Sequence, residues 1–346
     1  MRVVVANSHI PNVHGGAEEL ALNLVTELGK LRGLSVELLR VPFDWSSQEG
    51  LLTHVMGLQN LDLGSTDLLI PLKFPVYFLR APRRIGWIVH QFRQAYDMHG
   101  GPFTYFEESQ KGDDIRRALI EADNLELPQY DRLFTNSSVT QDRLFRYNGI
   151  ASDILHPPVN EPDRFICEDH EDFIFVGGRI NGSKRQKMVI EALGSFAPDV
   201  RLVIAGPCED PDYLDQMKYL IEIHDLQDRV QLRPEFLPRS EIVSYNNRCL
   251  AAVYLPMDED SFGYVTMEAF QSSKAVVTTV DSGGVTQLVK DTTTGFVTEP
   301  NPESLGAALQ ELWINRNATK DMGRAAFDRL QDFGLTWNRT LEVLLS

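Results

Sequence analysis

Residues 250–268 read L-A-A-V-Y-L-P-M-D-E-D-S-F-G-Y-V-T-M-E, and this stretch decides the fold that we expect. Its apolar first part, Leu250 to Leu255, has the length and composition of a buried parallel strand. A turn at Phe262-Gly263 follows, and then a run of good helix formers that starts at Tyr264-Val265. This order of strand, turn and helix puts main-chain amides at a helix start, where a diphosphate can bind.

Two carboxylates flank this turn. Asp260 lies in the loop before it, and Glu268 lies inside the helix. Carboxylates beside a bound anion can accept hydrogen bonds from sugar hydroxyls, so the stretch fits a nucleotide-sugar site. An acidic, solvated loop at 258–260 ahead of an ordinary helix is the alternative interpretation of the same residues.

Length and composition indicate two packed domains. The chain has 346 residues, of which 43% are apolar, and this is too long for one ordinary core. The stretch H-P-P-V-N at 156–160 suits a stiff crossing between domains. We therefore predict a first domain of residues 1–158, joined by the C-terminal residues 333–346, and a second domain of residues 159–332.

The charge and the cysteines exclude several classes of protein. A formal net charge of -16 argues against nucleic acid as a partner, so any phosphate site must be a local feature. The three cysteines, which form no C-x-x-C pair, support neither a disulfide framework nor a zinc cluster. We expect a cytoplasmic protein, because neither a signal peptide nor a membrane span is apparent.

A small basic cluster interrupts the acidic surface at Arg80, Arg83 and Arg84. Three such residues give only weak, reversible docking on anionic lipid at the inner face of a membrane, at about 1 kcal/mol each. A solvated turn is the preferred interpretation.

Apolar runs at regular intervals predict parallel sheets in both halves. The predicted strands are Val3–Ala6, Val36–Val41, Asp67–Leu72, Ile85–Val89, Tyr130–Thr135, Phe173–Val176, Val200–Ala205, Val230–Leu232 and Ala275–Thr278. Between Phe92 and Pro128 the pattern is less regular, and there we expect acceptor contacts or a cover over the sheet edge. Three helices are predicted from Pro302 onward, and the last should pack on the first domain.

Two features of the first half lie at strand ends. Gly15 and Gly16, which follow His14, let the backbone approach a ligand closely at a helix start. His90 ends a predicted strand, and ligands of open α/β sheets bind at that end. The alternatives are an ordinary strand-to-helix turn and a packing histidine.

Two cations follow the first strand of the second half, in the sequence G-G-R-I-N-G-S-K at 177–184. Cations held at the end of a strand, such as Arg179 and Lys184, can bind and stabilise an anionic group such as a diphosphate. The alternative is a pair of surface cations in a polar loop with Arg185 and Lys187.

These motifs together resemble the retaining glycosyltransferases of family 4, which have the GT-B fold of two Rossmann-like domains facing across a cleft. Asp260 and Glu268 are similar to the family's carboxylate-x7-carboxylate signature. Arg179 and Lys184 match the pair that binds the donor diphosphate there, and Gly15-Gly16 matches the family's glycine loop. The resemblance covers nearly the whole chain and is densest from Phe173 to Val297.

The resemblance implies a role for each residue. Glu268 would accept from the ribose hydroxyls, while Asp260 and His90 would orient the transferred sugar. Arg233 would contact the nucleotide base. The donor-binding residues would be Gly15, Gly16, Arg233, Phe262, Gly263, Tyr264 and Val265.

The implied reaction moves a hexosyl unit, with retention, from a nucleotide diphosphate sugar to a saccharide or lipid-linked acceptor. A UDP-sugar is the preferred donor, and neither a metal nor another cofactor is expected. The oligomeric state is left open.

Departures from the family pattern keep other functions open. Asp260 stands where Glu is usual, and Thr286-Gln287 replace a Pro-Glu pair. A non-catalytic nucleotide-sugar-binding partner and a sugar-nucleotide epimerase are the alternatives. The segment 258–260 also has the D-x-D form of metal-dependent glycosyltransferases, an interpretation that the accompanying Arg179 and Lys184 disfavour.

Overall fold

A computed structural model describes residues 1–9, 15–101 and 104–346. The strands are β1 Arg2–His9, β2 Ser35–Pro42, β3 Leu68–Pro71, β4 Ile85–Ile88, β5 Arg132–Thr135, β6 Asp153–Ile154, β7 Ile174–Gly177, β8 Leu202–Ala205, β9 Val230–Arg233, β10 Ala251–Val253, β11 Ala275–Thr279 and β12 Gly295–Thr298. The helices are α1 Gly16–Gly29, α2 Gln48–Gln59, α3 Gln110–Glu126, α4 Ser138–Asn148, α5 Gln186–Phe196, α6 Pro211–Ile223, α7 Arg239–Arg248, α8 Tyr264–Gln271, α9 Val285–Leu288, α10 Pro302–Ile314, α11 Arg316–Asp332 and α12 Trp337–Leu345.

The chain divides into two compact units. Unit 1 comprises Met1–Pro158 together with Thr336–Ser346, and unit 2 comprises Val159–Leu335. Unit 2 holds one six-stranded parallel sheet in the order β12-β11-β10-β7-β8-β9. Unit 1 holds two three-stranded parallel sheets, β2-β1-β3 and β4-β5-β6. Hydrogen bonds at the ends of β3 and β4 connect the two sheets of unit 1, one of them from Val89 N to Leu72 O at 2.7 Å.

The central strands, such as β1 and β7, are apolar on both faces because both of their faces are packed. In unit 2, Ile174 and Val176 of β7 pack in one cluster with α5 and α10, while Phe175 between them packs in another cluster with Leu237. In unit 1, Val3 and Val5 pack with α1 and α12, whereas Val4 and Ala6 face a second cluster. Successive side chains of a strand point to opposite faces, so each run of apolar residues supplies two cores.

Local signals in the sequence fix the helix ends. Asp210 caps α6 by accepting from Tyr213 N at 3.1 Å, and Asn301 caps α10 by accepting from Ser304 N at 2.9 Å. Proline occupies the first helical position in both helices, where its missing N–H costs nothing. Gly149, at φ +67°, ends α4 in the left-handed conformation.

The nine strands predicted from the apolar runs are confirmed, with ends that move by up to three residues, and Leu250–Leu255 contains β10. The three helices after Pro302 are confirmed as well, and Trp337, Leu341 and Leu344 of the last one pack within unit 1. None of the described helices combines the length and apolarity that crossing a bilayer demands.

Residues 92–128, whose sequence pattern is less regular, contain the 17-residue helix α3 in their second half. Ser109 caps this helix by accepting from Gly112 N at 3.1 Å. Ile115 and Leu119, four residues apart, are its buried apolar contacts, while most other positions are charged. A helix with so narrow an apolar stripe gives a weak periodic signal.

The prediction that the basic cluster forms a solvated turn is wrong at Arg84. Its side chain is buried, forms an ion pair with Glu126 and lies 4.6 Å from the centre of the Tyr130 ring. Arg83 donates to the main-chain carbonyl of Ser346 at 2.6 Å. Arg84 is therefore a structural cation of unit 1 and cannot reach a lipid surface.

Gly206 provides a test of the close packing in unit 2. At φ +150°, an added Cβ would lie 2.0 Å from the carbonyl oxygen of Gly178. We expect Gly206→Ala to lower the free energy of unfolding by about 3 kcal/mol. The matched control is Gly57→Ala in α2, where a Cβ meets nothing within 4 Å, and it should stabilise by about 0.5–1 kcal/mol. Urea unfolding measures both, and equal stabilities would contradict this packing.

Asp123 provides a second test, through pH. It is buried and accepts from Tyr77 OH at 2.9 Å, Tyr96 OH at 2.6 Å and Gln91 Nε2 at 3.0 Å. Burial nevertheless raises its pKa to about 6, against about 3.9 in an unfolded chain. The folded state thus binds more protons between these values, so the contribution of Asp123 to stability falls as pH rises from 4 to 6.

The comparison that isolates this effect is wild type against Asp123→Asn, since the other titrating groups are shared. The free energy of unfolding of the wild type should exceed that of the variant by a margin that depends on pH. This margin should decrease by about 2 kcal/mol between pH 4 and pH 6.5. Urea titrations at four pH values measure it, and a difference independent of pH would contradict the assignment.

Candidate functional site

The strand order of unit 2 creates one special position, between β7 and β10. From β7 the chain proceeds outward through β8 and β9, then returns to β10 on the other side of β7. The connections that leave the carboxyl ends of β7 and β10 therefore depart in opposite directions, and a crevice opens between them. Open α/β sheets bind ligands at such a switch point.

Glycines bring the loops at this edge into close contact. Gly178, which follows β7, has φ +101°, and an added Cβ would lie 3.2 Å from Cγ2 of Val265 in α8. Gly206, which follows β8, packs on the carbonyl of Gly178. The backbone that carries Arg179 thus lies against the first turn of α8.

Gly263 determines where α8 starts. It has φ +74°, and an added Cβ would lie 2.5 Å from the Tyr254 ring. The helix then begins at Tyr264, with no side chain hydrogen-bonded as its cap. The positive end of the helix dipole and the amides of this turn therefore point toward the switch point.

The acidic loop before α8 is held by a second pair of glycines. Asp258 N donates to Asp281 O, and Gly284 N donates to Glu259 O, both at 2.9 Å. An added Cβ on Gly283 would lie 2.4 Å from Glu259 O, so this contact needs glycine. Asp260 is 9% exposed in the loop, which rules out the solvated-loop interpretation for this carboxylate.

Lys184 is paired within unit 2. Its ammonium forms an ion pair with Glu259 and donates to Tyr254 OH at 3.0 Å, and Tyr254 OH donates to Glu259 at 2.8 Å. Burial alone would lower the pKa of Lys184, but Tyr254 and Glu259 together raise it. Lys184 is therefore charged, and an acidic side chain occupies the place beside it that an anionic ligand would share.

Arg179 differs from Lys184 in this respect. Within residues 1–9, 15–101 and 104–346, its guanidinium has no hydrogen-bond or ion-pair partner, although its carbonyl accepts from Gln186 Nε2 at 2.9 Å. A half-buried guanidinium presents several donors in a planar fork that matches a phosphate. Arg179 is thus a cation available to a ligand.

Arg185 is not the loose surface cation of the alternative interpretation. It donates to the carbonyls of Leu255 and Pro256 at 2.9 Å and forms two hydrogen bonds with Asp281. These bonds tie the loop after β7 to the loop after β10. This connection could not be predicted from the sequence, because a cation in a polar loop is usually solvated.

Glu268 has an unforeseen partner in Arg239. The two form an ion pair at 2.5 Å, and Glu268 is only 5% exposed. Arg239 also donates to Asn160 O at 3.1 Å and lies 4.8 Å from the centre of the Phe165 ring. One signal was present in the sequence: Arg239 begins α7, where the helix dipole disfavours a cation, so a tertiary partner was to be expected.

Arg233 lies at the end of β9, the edge strand of the sheet, two strands from β7. It forms ion pairs with Glu235 and Glu241 and donates to Tyr245 OH at 3.2 Å. The structure thus places Arg233 apart from the switch point, and its contact with a base stays a prediction.

The unit 1 candidates lie at the carboxyl ends of its strands. Gly15 precedes α1 and donates its N–H to Glu18 Oε2 at 3.0 Å, and α1 begins at Gly16. Glu18 forms a largely buried ion pair with Lys73 at 2.5 Å. Burial alone would raise the pKa of Glu18, but Lys73 lowers it. His14 lies outside the described residues.

His90 is a near neighbour of this pair. The backbone of His90 forms an isolated parallel β-bridge with that of Lys73. The Nδ1–H of His90 donates to Gln91 O at 2.8 Å. Unit 1 thus brings Gly15, Gly16 and His90 to the ligand-binding end of its strands. Glu18 and Lys73 are members of this group whose roles the sequence did not reveal.

Arg239 can be tested as the partner of Glu268. We expect Arg239→Met to lower the free energy of unfolding by about 1–3 kcal/mol, because it leaves a buried carboxylate without its cation. Adding Glu268→Gln to this variant should recover part of the loss, since a neutral amide does not need the cation. Urea unfolding of both single variants and the double variant measures the coupling, and strictly additive losses would contradict the ion pair.

Comparison with known sequences gives two kinds of match. Residues 161–329 match the family model of glycosyl transferases group 1. The D-inositol 3-phosphate glycosyltransferase of Paenarthrobacter aurescens is 29% identical over 178 residues, which are 50% of this chain and 42% of that protein. The alpha-1,3/1,6-mannosyltransferase ALG2 of Homo sapiens is 26% identical over 206 residues, or 53% of this chain and 49% of that protein. The chain thus spans about half the length of these curated relatives.

Comparison with solved structures extends over the whole chain. HepE of Anabaena, in complex with UDP-glucose, has a TM-score of 0.73 at 16% identity, and the match covers 99% of both chains. At this identity the likeness shows the fold. The expected α/β fold of the GT-B class is confirmed.

Proposed function

We propose that the chain, whose residues 161–329 match the family model of glycosyl transferases group 1, transfers a hexosyl unit from a nucleotide diphosphate sugar. The preferred donor is a UDP-sugar, and the acceptor is a saccharide or a lipid-linked saccharide. The anomeric configuration is retained and no metal ion takes part. Cytoplasmic location belongs to the same proposal, together with weak contact at the inner membrane face through Arg80 and Arg83 without Arg84.

The observation that carries this proposal is the position of Arg179. Its backbone lies against the first turn of α8, at the switch point of the unit 2 sheet, and its guanidinium has no partner in the described part of the chain. A cation and the amides of a helix start converge there, which suits a diphosphate. The chain is strongly acidic overall, so this local positive charge is a specific feature.

Lys184 adds a second cation, which contributes only when the donor diphosphate replaces Glu259 as its partner. In the absence of a ligand, Glu259 neutralises it. A diphosphate that reaches Lys184 brings more negative charge than one carboxylate, and its charge grows as the glycosidic bond breaks. The interaction with Lys184 therefore strengthens toward the transition state, which is where binding accelerates a reaction.

The remaining residues orient the donor. Glu268, fixed by Arg239, accepts from the ribose hydroxyls, and Asp260 accepts from hydroxyls of the transferred sugar. His90 of unit 1 also orients that sugar. The departing phosphate itself takes the proton of the acceptor hydroxyl, so no protein base is required. Gly15 and Gly16 border the donor phosphate and the acceptor.

The relatives support the reaction class and the donor. Their names describe sugar transfer, to D-inositol 3-phosphate in one case and of mannosyl units in another. The structure of HepE contains UDP-glucose. These facts favour a nucleotide-sugar donor and leave the sugar and the acceptor to experiment.

Lys184 and Lys187 form a matched pair for testing the leaving-group argument. Lys187 lies three residues further along the chain. Its Nζ is 4.8 Å from the centre of the Tyr213 ring and donates a hydrogen bond to Gln216 Oε1 at 2.5 Å. We expect Lys184→Ala to lower kcat roughly 10²- to 10³-fold, as the loss of other transition-state charge stabilisers does. Lys187→Ala should leave kcat within about twofold. Thermal unfolding checks that both variants fold, and full activity of folded Lys184→Ala would remove the argument.

Ligand binding and product analysis test the proposal itself. UDP-, GDP- and ADP-sugars are screened by thermal shift, since a ligand that binds the folded state raises its stability. Arg179→Ala should lose the shift produced by the best donor. Activity should survive EDTA, and a strict need for Mn²⁺ would contradict metal independence. An epimerised sugar still on its nucleotide would indicate an epimerase, and binding without any turnover would indicate a non-catalytic partner.

A further inference from the structure

Three reactive side chains meet at the opposite edge of the unit 2 sheet. Cys167 and His170 lie in the segment that leads into β7, and Lys274 immediately precedes β11. The loops of the donor site leave these strands at their carboxyl ends, whereas this cluster is at their amino ends. It is therefore separate from the proposed site of glycosyl transfer.

Lys274 is the unusual member of the cluster. Its side chain is fully buried, and its ammonium donates to Asp169 O and to Cys167 Sγ, the latter at 3.5 Å. In the part of the chain that the structure describes, no carboxylate lies within ion-pair distance of this ammonium. A buried charge is costly unless an opposite charge compensates it, so the sulfur atom that faces the ammonium is the natural counter-ion.

The other groups around the ammonium cannot take this role. His170 has its Nε2 atom 3.8 Å from Cys167 Sγ, and burial together with Lys274 lowers its pKa to about 4, so it is neutral. Burial raises the pKa of Cys249, at the end of α7, to about 12, so it stays a thiol. From α11, Arg316 and Lys320 add positive charge at His170. The carboxylate of Asp169 accepts a hydrogen bond from the main-chain N–H of His170 at 2.6 Å.

Cys167 is also the cysteine that solvent reaches best. Cys167 is exposed, Cys208 is half-buried and Cys249 is buried. A thiol is a nucleophile only as its thiolate, and reactive cysteines are those that combine exposure with neighbouring cations. Both conditions hold at Cys167.

We propose that Cys167 is a redox-modification site whose thiolate is stabilised by the Lys274 ammonium and reacts with hydrogen peroxide. The thiolate sulfur attacks one peroxide oxygen, a sulfur–oxygen bond forms and the oxygen–oxygen bond breaks. The second oxygen leaves as hydroxide and takes a proton from water or from Lys274. Sulfur is oxidised to a sulfenic acid and the peroxide is reduced to water.

The first measurement is the rate at which iodoacetamide alkylates each cysteine of the intact protein, followed by peptide mass spectrometry from pH 7 to pH 9. N-acetylcysteine is the reference for a fully exposed thiol, and its rate should rise about 20-fold over this range. The rate at Cys167 should rise less than about twofold, because the neighbouring Lys274 ammonium favours the thiolate. A rise at Cys167 parallel to the reference would overturn the proposal without any variant.

The second measurement separates Lys274 from exposure alone. Lys274→Met, which keeps much of the buried volume, should restore the steep rise, while the control Lys320→Met should keep the flat profile. Circular dichroism and thermal unfolding show whether each variant folds. A folded Lys274→Met with an unchanged flat profile would also overturn the proposal.

The third measurement addresses the peroxide step. Wild-type protein is treated with hydrogen peroxide in the presence of dimedone, which tags sulfenic acids. The tag should appear on Cys167 ahead of Cys208 and should be absent from Cys167→Ser. Equal tagging of Cys167 and Cys208, or none on Cys167, would contradict the assignment. Glycosyl transfer plays no part in these readouts.

Discussion

The reversal of strand order between β7 and β10 is the constraint on which the rest of unit 2 depends. Two neighbouring parallel strands send their following loops in opposite directions, so the sheet edge between them is open. The backbone must approach itself closely on either side of that opening. Gly178, Gly206 and Gly263 meet this demand at positive φ, where an added Cβ would approach the Val265 side chain, the Gly178 carbonyl and the Tyr254 ring respectively. The positions of Arg179 and of the α8 start follow from this packing.

The charges at this edge differ in their state before a ligand binds. Lys184 is neutralised by Glu259, and Arg185 joins two loops through Asp281, while Arg179 has no partner in the described chain. Ion pairs thus compensate two half-buried cations, and a third stays available to a ligand. Glu268 is the converse case, a buried carboxylate whose charge Arg239 compensates.

Much of this arrangement could be predicted from the sequence. Apolar runs such as Phe173–Val176 identify central strands, since a strand buried on both faces has no polar positions. The glycine before Arg179 and the Phe262-Gly263 turn identified the loops. Local signals of this kind depend on neighbours in the chain, and the sequence displays them directly.

Other parts could not be predicted, for physical reasons. The partners Arg239 and Glu268 are far apart in sequence, and only the packing of α7 beside α8 brings them together. Arg84 was mistaken for a solvated cation because Glu126, its counter-ion, belongs to a helix with a narrow apolar stripe. Pairing of charges over long separations leaves no periodic trace.

The most direct test of the central claim is a crystal structure of the protein soaked with UDP. We predict the diphosphate at the switch point of unit 2, contacting the Arg179 guanidinium and the amides that begin α8. UDP bound elsewhere, or Arg179 turned away from the phosphates into solvent, would contradict the account.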